Sequence, residues 1–206
     1  MTRIKICGLT RREDALTAAH AGANAIGMVF YANSPRHVGR RQAAEICAVL
    51  PPFVTSVGLF VNPAAEEVQA VLAEVALDLL QFHGEEDAAF CAQFERPYIK
   101  ALRVRQGIDL VQYAAQHPAA KALLVDAFVE GQAGGTGQLF DWRLIPAEFS
   151  IPIILSGGLT PYNVADGVRA VRPWAVDVSS GVEATPGVKD SAKIIAFIKG
   201  VRDADV

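Results

Sequence analysis

The sequence is poor in the residues that mark several classes of protein, and each shortage removes one of them. Three cysteines in 206 residues, Cys7, Cys47 and Cys91, are too few and too irregularly spaced for a disulfide framework or a cysteine zinc site. Four histidines, His20, His37, His83 and His117, are scattered and supply no metal-ligand pattern, so no metal is expected. No run of eighteen apolar residues occurs, which argues against a membrane-spanning helix. Residues 1–7 place Arg3 and Lys5 inside a short apolar run, unlike a secretory signal, so a soluble, cytoplasmic protein is expected. Charge of one sign is also lacking: the formal net charge is -3, which draws the chain neither to nucleic acid nor to an anionic membrane surface. A small-molecule partner is the expectation that survives, with oligomeric state left open. No linker, low-complexity tract or long charge run offers a place to divide the chain, so residues 1–206 are read as one domain.

What the sequence has in quantity is apolar residues, 51% of the chain, arranged in a repeating order. A short, β-branched apolar run is followed by a polar loop and then by an Ala-rich stretch with helical periodicity. Eight such units can be counted. The strand candidates are residues 3–7, 25–30, 55–60, 77–82, 98–104, 122–127, 152–156 and 174–179. Most are apolar throughout, as parallel strands buried on both faces are. Thr10 with Glu13 reads as a capping box, and Asn62-Pro63 and Thr160-Pro161 read as helix starts with Pro at the first helical position. Val68, Val71, Leu72 and Val75 make one face of the third helix; Ile194, Phe197, Ile198 and Val201 make that of the last. Between residues 141 and 145 only a single short turn fits before Pro146.

Eight βα units at about 26 residues each lie near the lower size limit of an α/β fold of the (β/α)8 TIM-barrel type. A doubly wound open sheet competes, but a dinucleotide-binding one carries a Gly-x-Gly-x-x-Gly turn after its first strand, where this chain has Cys7-Gly8-Leu9-Thr10. In such barrels chemistry sits at the C-terminal ends of the strands. Here those ends offer Cys7 after the first strand, Arg36 in the loop after the second, His83 after the fourth and Asp126 at the end of the sixth. Gly157 and Gly158 follow the seventh strand, and Ser180 and Gly181 the eighth. The loops after strands seven and eight are those that often present backbone N–H groups to a phosphate, and glycine lets the anion come close. Each residue also has an ordinary reading: Cys7 as a small core residue, Asp126 as an acceptor for loop amides, Arg36 as a solvated loop arginine, and the Gly-Gly pair as a plain turn. Cys47 and Cys91, inside helices, read as packing residues. The glycine-rich loop at 131–137 reads either as a lid or as a flexible connection.

With those residues placed, the chain resembles the phosphoribosylanthranilate isomerase family of tryptophan biosynthesis along essentially its whole length. The motifs that carry the likeness are KICGLT (5–10), SPRHV (34–38), VGLFVN (57–62), QFHG (81–84), LLVDA (123–127), GGTG (134–137), SGGL (156–159) and DVSSGVE (177–183). Phe82 and Ser156 stand where the family pattern commonly has Leu and Ala, both conservative changes. The resemblance implies an Amadori rearrangement of N-(5-phospho-D-ribosyl)anthranilate, without a cofactor. It implies Cys7 as general base, Asp126 as general acid and Arg36 as partner of the anthranilate carboxylate. The phosphate would lie on Gly157, Gly158, Ser180 and Gly181, with His83 and Asp177 lining the pocket. Two other readings are kept beside it: a related phosphosugar barrel such as the histidine-pathway isomerase, which uses aspartates where this chain has Cys7, and a noncatalytic phospholigand-binding barrel.

Overall fold

The computed structural model describes residues 1–104, 107–127, 141–146 and 149–205. The glycine-rich loop 131–137, including the GGTG motif, lies outside the described residues. Eight strands form a closed parallel barrel in chain order: β1 (Arg3–Ile6), β2 (Ala25–Val29), β3 (Thr55–Phe60), β4 (Leu79–Phe82), β5 (Tyr98–Val104), β6 (Ala122–Ala127), β7 (Ile153–Leu155) and β8 (Ala175–Val178). Closure comes from β1 pairing with both β2 and β8, with Lys5 in register with Ala25 on one side and with Asp177 on the other. Every expected strand is present, some trimmed at one or both ends. Because β1 stops at Ile6, Cys7 is the first residue beyond it, anchored by its N–H to the Val178 carbonyl at 2.8 Å.

The continuous apolar character of the strands is explained by their two buried faces. Ile4, Ile6, Ile26, Met28, Leu80, Phe82, Leu123, Val125 and Val176 point outward into the layer beneath the helices. Ile99, Ala101, Ala122, Leu124, Ile154 and Ala175 point inward and fill the barrel. The outer layer consists of α1 (Arg12–Ala21), α2 (Arg40–Cys47), α3 (Ala65–Glu74), α4 (Ala88–Ala92), α5 (Leu110–Ala115), α6 (Val164–Val171) and α7 (Ser191–Ala204). Between β6 and β7 the only described helical segment is the 3-10 turn Trp142–Leu144, at the short turn expected there. Of the face read for α3, Val68, Val71 and Val75, the last just past the helix end, are at most 5% exposed while Leu72 is only partly buried; on α7, Ile194, Phe197, Ile198 and Val201 are at most 5% exposed. The five-residue α4 is too short to cover its strands with its own surface. Phe82, Phe90, Phe94 and Tyr98 meet around it, with ring centroids 5.3–6.0 Å apart.

The expected helix starts are corrected by the structure, each for a tertiary reason. The Thr10 hydroxyl donates to the Gly187 carbonyl and is unavailable as a cap, and α1 begins behind Arg11. Asn62 takes a left-handed backbone (φ 47°) while its side chain accepts from the Glu85 N–H, so Pro63 precedes α3 by two residues. Pro161 lies in a turn ahead of α6. There Asn163 ties the loop by accepting from Thr160 N–H and donating to the Gly158 carbonyl. One element has no counterpart in the expected order: the antiparallel hairpin β9 (Glu183–Thr185) and β10 (Val188–Lys189) after β8. The Lys189 N–H donates to buried Asp14 of α1, fixing the hairpin beside the mouth of the barrel.

Candidate active site

The strand ends surround a cleft of about 710 Å3, lined among others by Cys7, Arg36, His83, Asp126, Gly157, Gly158, Asp177 and Ser180. Eight of the nine residues singled out from the sequence therefore share one opening. Gly181 is the ninth and does not line it. It sits behind the rim in the 3-10 turn Ser180–Val182, pressed so closely against the loop after β7 that a Cβ there would lie 1.9 Å from the Leu159 carbonyl oxygen.

Cys7 and Asp126 come from β1 and β6, on different sides of the barrel, and face the same cleft. Asp126 is buried and held at both oxygens: Oδ1 accepts from the Ala127 N–H at 2.9 Å, and Oδ2 lies 3.1 Å from His83 Nε2. Gln81 Nε2 is 3.0 Å from His83 Nδ1, so in this amide orientation Nδ1 accepts and Nε2–H donates to Asp126. Gly157 makes room for this carboxyl. Its φ of 82° suits glycine, and a Cβ there would meet Ala127 N at 2.5 Å and Asp126 Oδ1 at 2.9 Å.

Around Cys7 the surroundings are part apolar and part ionic. Val29 and Leu59 pack on it, with Tyr31 and Val61 at the edge, forming the apolar wall of the cleft. Beneath it Lys5 Nζ donates to Asp177 Oδ1 at 2.8 Å, a pair that is almost wholly buried. Burial pushes the Cys7 thiol up, the Lys5 ammonium pulls it down and Asp177 pushes it up, with the balance above the ordinary thiol value. Burial disfavours the Lys5 ammonium, yet Asp177 and Cys7 together raise it above the usual lysine value.

Arg36 reaches the cleft with its guanidinium already in a fork: Nε and Nη2 each donate to Glu183, at 2.8 Å. Lys189 Nζ shares that carboxylate at 2.9 Å and also donates to the Ser179 carbonyl at 3.0 Å. Burial works against the Glu183 carboxylate, but Arg36 and Lys189 hold it below the usual range. Burial likewise lowers Lys189 below the ordinary ammonium value. In the loops after β7 and β8, the N–H groups of Gly157, Gly158, Ser180 and Gly181 meet no acceptor among the described residues.

The residues not singled out from sequence are Lys5, Gln81, Glu183 and Lys189. Lys5 lies between Ile4 and Ile6 in β1, buried where Arg3 at the strand's start is exposed, and a charge flanked by buried apolar residues is a signal that something buried answers it. Glu183 and Lys189 belong to the hairpin, whose Pro186-Gly187 turn was the only local sign of it.

A family model described as N-(5'phosphoribosyl)anthranilate (PRA) isomerase matches residues 4–200. The chain is 58% identical over 204 residues to N-(5'-phosphoribosyl)anthranilate isomerase of Dechloromonas aromatica (strain RCB), covering 99% of this chain and 98% of that one. Among solved structures it is similar to phosphoribosyl anthranilate isomerase from Thermotoga maritima, with a TM-score of 0.91 and 42% identity, covering 98% of this chain and 100% of that one. It is also similar to the same kind of enzyme in complex with reduced 1-(o-carboxyphenylamino)-1-deoxyribulose 5-phosphate, with a TM-score of 0.84, 39% identity and the same coverage.

Proposed function

The chain belongs to the phosphoribosylanthranilate isomerase family and isomerises N-(5'-phosphoribosyl)anthranilate in tryptophan biosynthesis, and on that premise we propose that Cys7 and Asp126 carry the proton transfers. The observation that supports this most directly is that the two groups lie in one cleft, reached from separate strands, with donor-rich loops beside them.

The substrate's parts match the parts of the cleft. Its phosphate sits on the N–H groups of Gly157, Gly158, Ser180 and Gly181, where a dianion meets oriented donors. The aromatic ring lies against Val29, Leu59 and Tyr31, and its carboxylate takes the edge of Arg36 that Glu183 leaves open. His83 and Asp177 line the remainder and meet the sugar hydroxyls. Asp126, as the acid, gives a proton to the furanose ring oxygen, and the ring opens to a cationic imine. The imine acidifies the adjacent C–H, so a thiolate at Cys7 suffices to remove that proton and leave an enolamine, which tautomerises to the ketone product. General acid-base steps contribute about 10²–10⁴-fold each, or about 3–5 kcal/mol of barrier per residue.

The test is to compare Cys7→Ala and Asp126→Asn with the parent enzyme, following anthranilate fluorescence for turnover and calorimetry for binding of the reduced product analogue. Turnover falls by at least 10²-fold in each, while the analogue still binds. Full turnover in either variant rejects that residue's role. A phospholigand-binding barrel without catalysis would bind the analogue yet leave the fluorescence of the substrate unchanged with time.

A further inference from the structure

One charged group in the floor of the cleft is unused by the steps above. Lys5 precedes Cys7 by two residues and so shares its face of the strand, one layer deeper in the barrel. Its ammonium is directed to Asp177 on β8, its register partner, at 2.8 Å. Beside both, on the neighbouring strand β2, lies Gly27. A Cβ placed there would lie 2.7 Å from Cys7 Sγ and 3.2 Å from Lys5 Nζ, so sulfur and ammonium flank one point that has no side chain in it. The remaining charges that face Cys7 are Asp177 from β8, Lys189 from β10 and Arg36 from the loop after β2, with His83 and Asp126 also lining the cleft.

Resting on the reading of Cys7 as the base, we propose that Lys5 is its positioning residue: the ammonium, tethered by Asp177, stabilises the thiolate beside the substrate. An opposite charge in a site with little water favours the ionised thiol. Asp177 has the reverse effect on sulfur while keeping the ammonium in place. The two members of one ion pair therefore act on Cys7 with opposite signs. A buried pair of this kind adds little stability over an apolar replacement, so stability alone gives no reason for a charge at this position.

The experiment follows the ultraviolet absorbance of the Cys7 thiolate against pH, with a Cys7→Ala background subtracted. Lys5→Met moves the titration to higher pH by about one to three units, which is 10- to 1000-fold less thiolate at neutral pH. Asp177→Asn moves it to lower pH. In turnover, Lys5→Met loses kcat/KM at neutral pH and recovers part of it as pH rises, with KM little changed. A Lys5→Met titration that coincides with the parent's, or two variants that shift in the same direction, overturns the proposal. Should Lys5→Met not fold because Asp177 is left unpaired, the double variant Lys5→Met/Asp177→Asn is compared with Asp177→Asn alone; coincident titrations again overturn it. These titrations are independent of turnover. Full activity in Cys7→Ala would remove the base assignment, whereas an inactive Cys7→Ala with an unmoved Lys5→Met titration would remove only the role of Lys5.

Discussion

Replacing Gly181 by Ala tests the phosphate site through a residue that does not line the cleft. The added methyl would stand 1.9 Å from the Leu159 carbonyl oxygen and 3.2 Å from the Thr160 Cα. Packed interiors do not tolerate such an approach, so the loops after β7 and β8 must separate by roughly 1 Å. If both loops donate N–H groups to the same anion, as proposed, a displacement of that size takes at least one donor out of line. A hydrogen bond to a charged group contributes about 1.5–3 kcal/mol, and about 1.4 kcal/mol is a factor of ten in affinity. KM for the phosphorylated substrate should therefore rise about 10- to 100-fold, and inhibition by inorganic phosphate should weaken in parallel. Overpacking of this kind costs about 1–3 kcal/mol of stability, which leaves a folded enzyme to assay. Steady-state kinetics by anthranilate fluorescence, with circular dichroism to confirm folding, gives the answer. A folded variant with unchanged KM and unchanged phosphate inhibition would show that these loops do not hold the phosphate.

Arg36→Lys keeps the charge but loses the fork to Glu183, so KM should rise by about tenfold or more with a smaller change in kcat; kinetics that match the parent's would separate Arg36 from the substrate carboxylate. Lys100→Met removes the cation that donates to Glu86 at 3.0 Å and to the Gly84 carbonyl at 2.6 Å. The buried Glu86 carboxylate loses its ion-pair partner, and urea unfolding should report a loss of about 3–5 kcal/mol; a loss under 1 kcal/mol would contradict the burial argument. Burial pushes Cys47 up to about 11 and Cys91 up to about 12. The folded state thus holds these protons more tightly than the unfolded chain, and stability is fully present below the ordinary thiol value and lost as pH rises from there through the folded values. Thermal midpoints should fall between about pH 9 and about pH 12, and Cys91→Ala should flatten that fall; a pH-independent midpoint would refute it.

The sequence by itself determined the barrel and the positions of its mouth. Eight continuously apolar runs separated by helical periodicity specify strands covered on both faces, and once that order is fixed, Cys7, Arg36, His83, Asp126 and the two glycine-bearing loops must fall at one end. Those facts are local in the chain, because burial on two faces is written into each run separately. What only the tertiary structure decided is which groups answer one another. Arg36 meets Glu183 across 147 positions and Lys5 meets Asp177 across 172, pairings that no local pattern encodes. Thr10 gives up a capping role to a hairpin whose carbonyl arrives from residue 187. A buried charge must find its counterion wherever the closed barrel brings one, so the electrostatics of the cleft follow from β1 lying against β8, and that contact exists only after the ring of strands has closed.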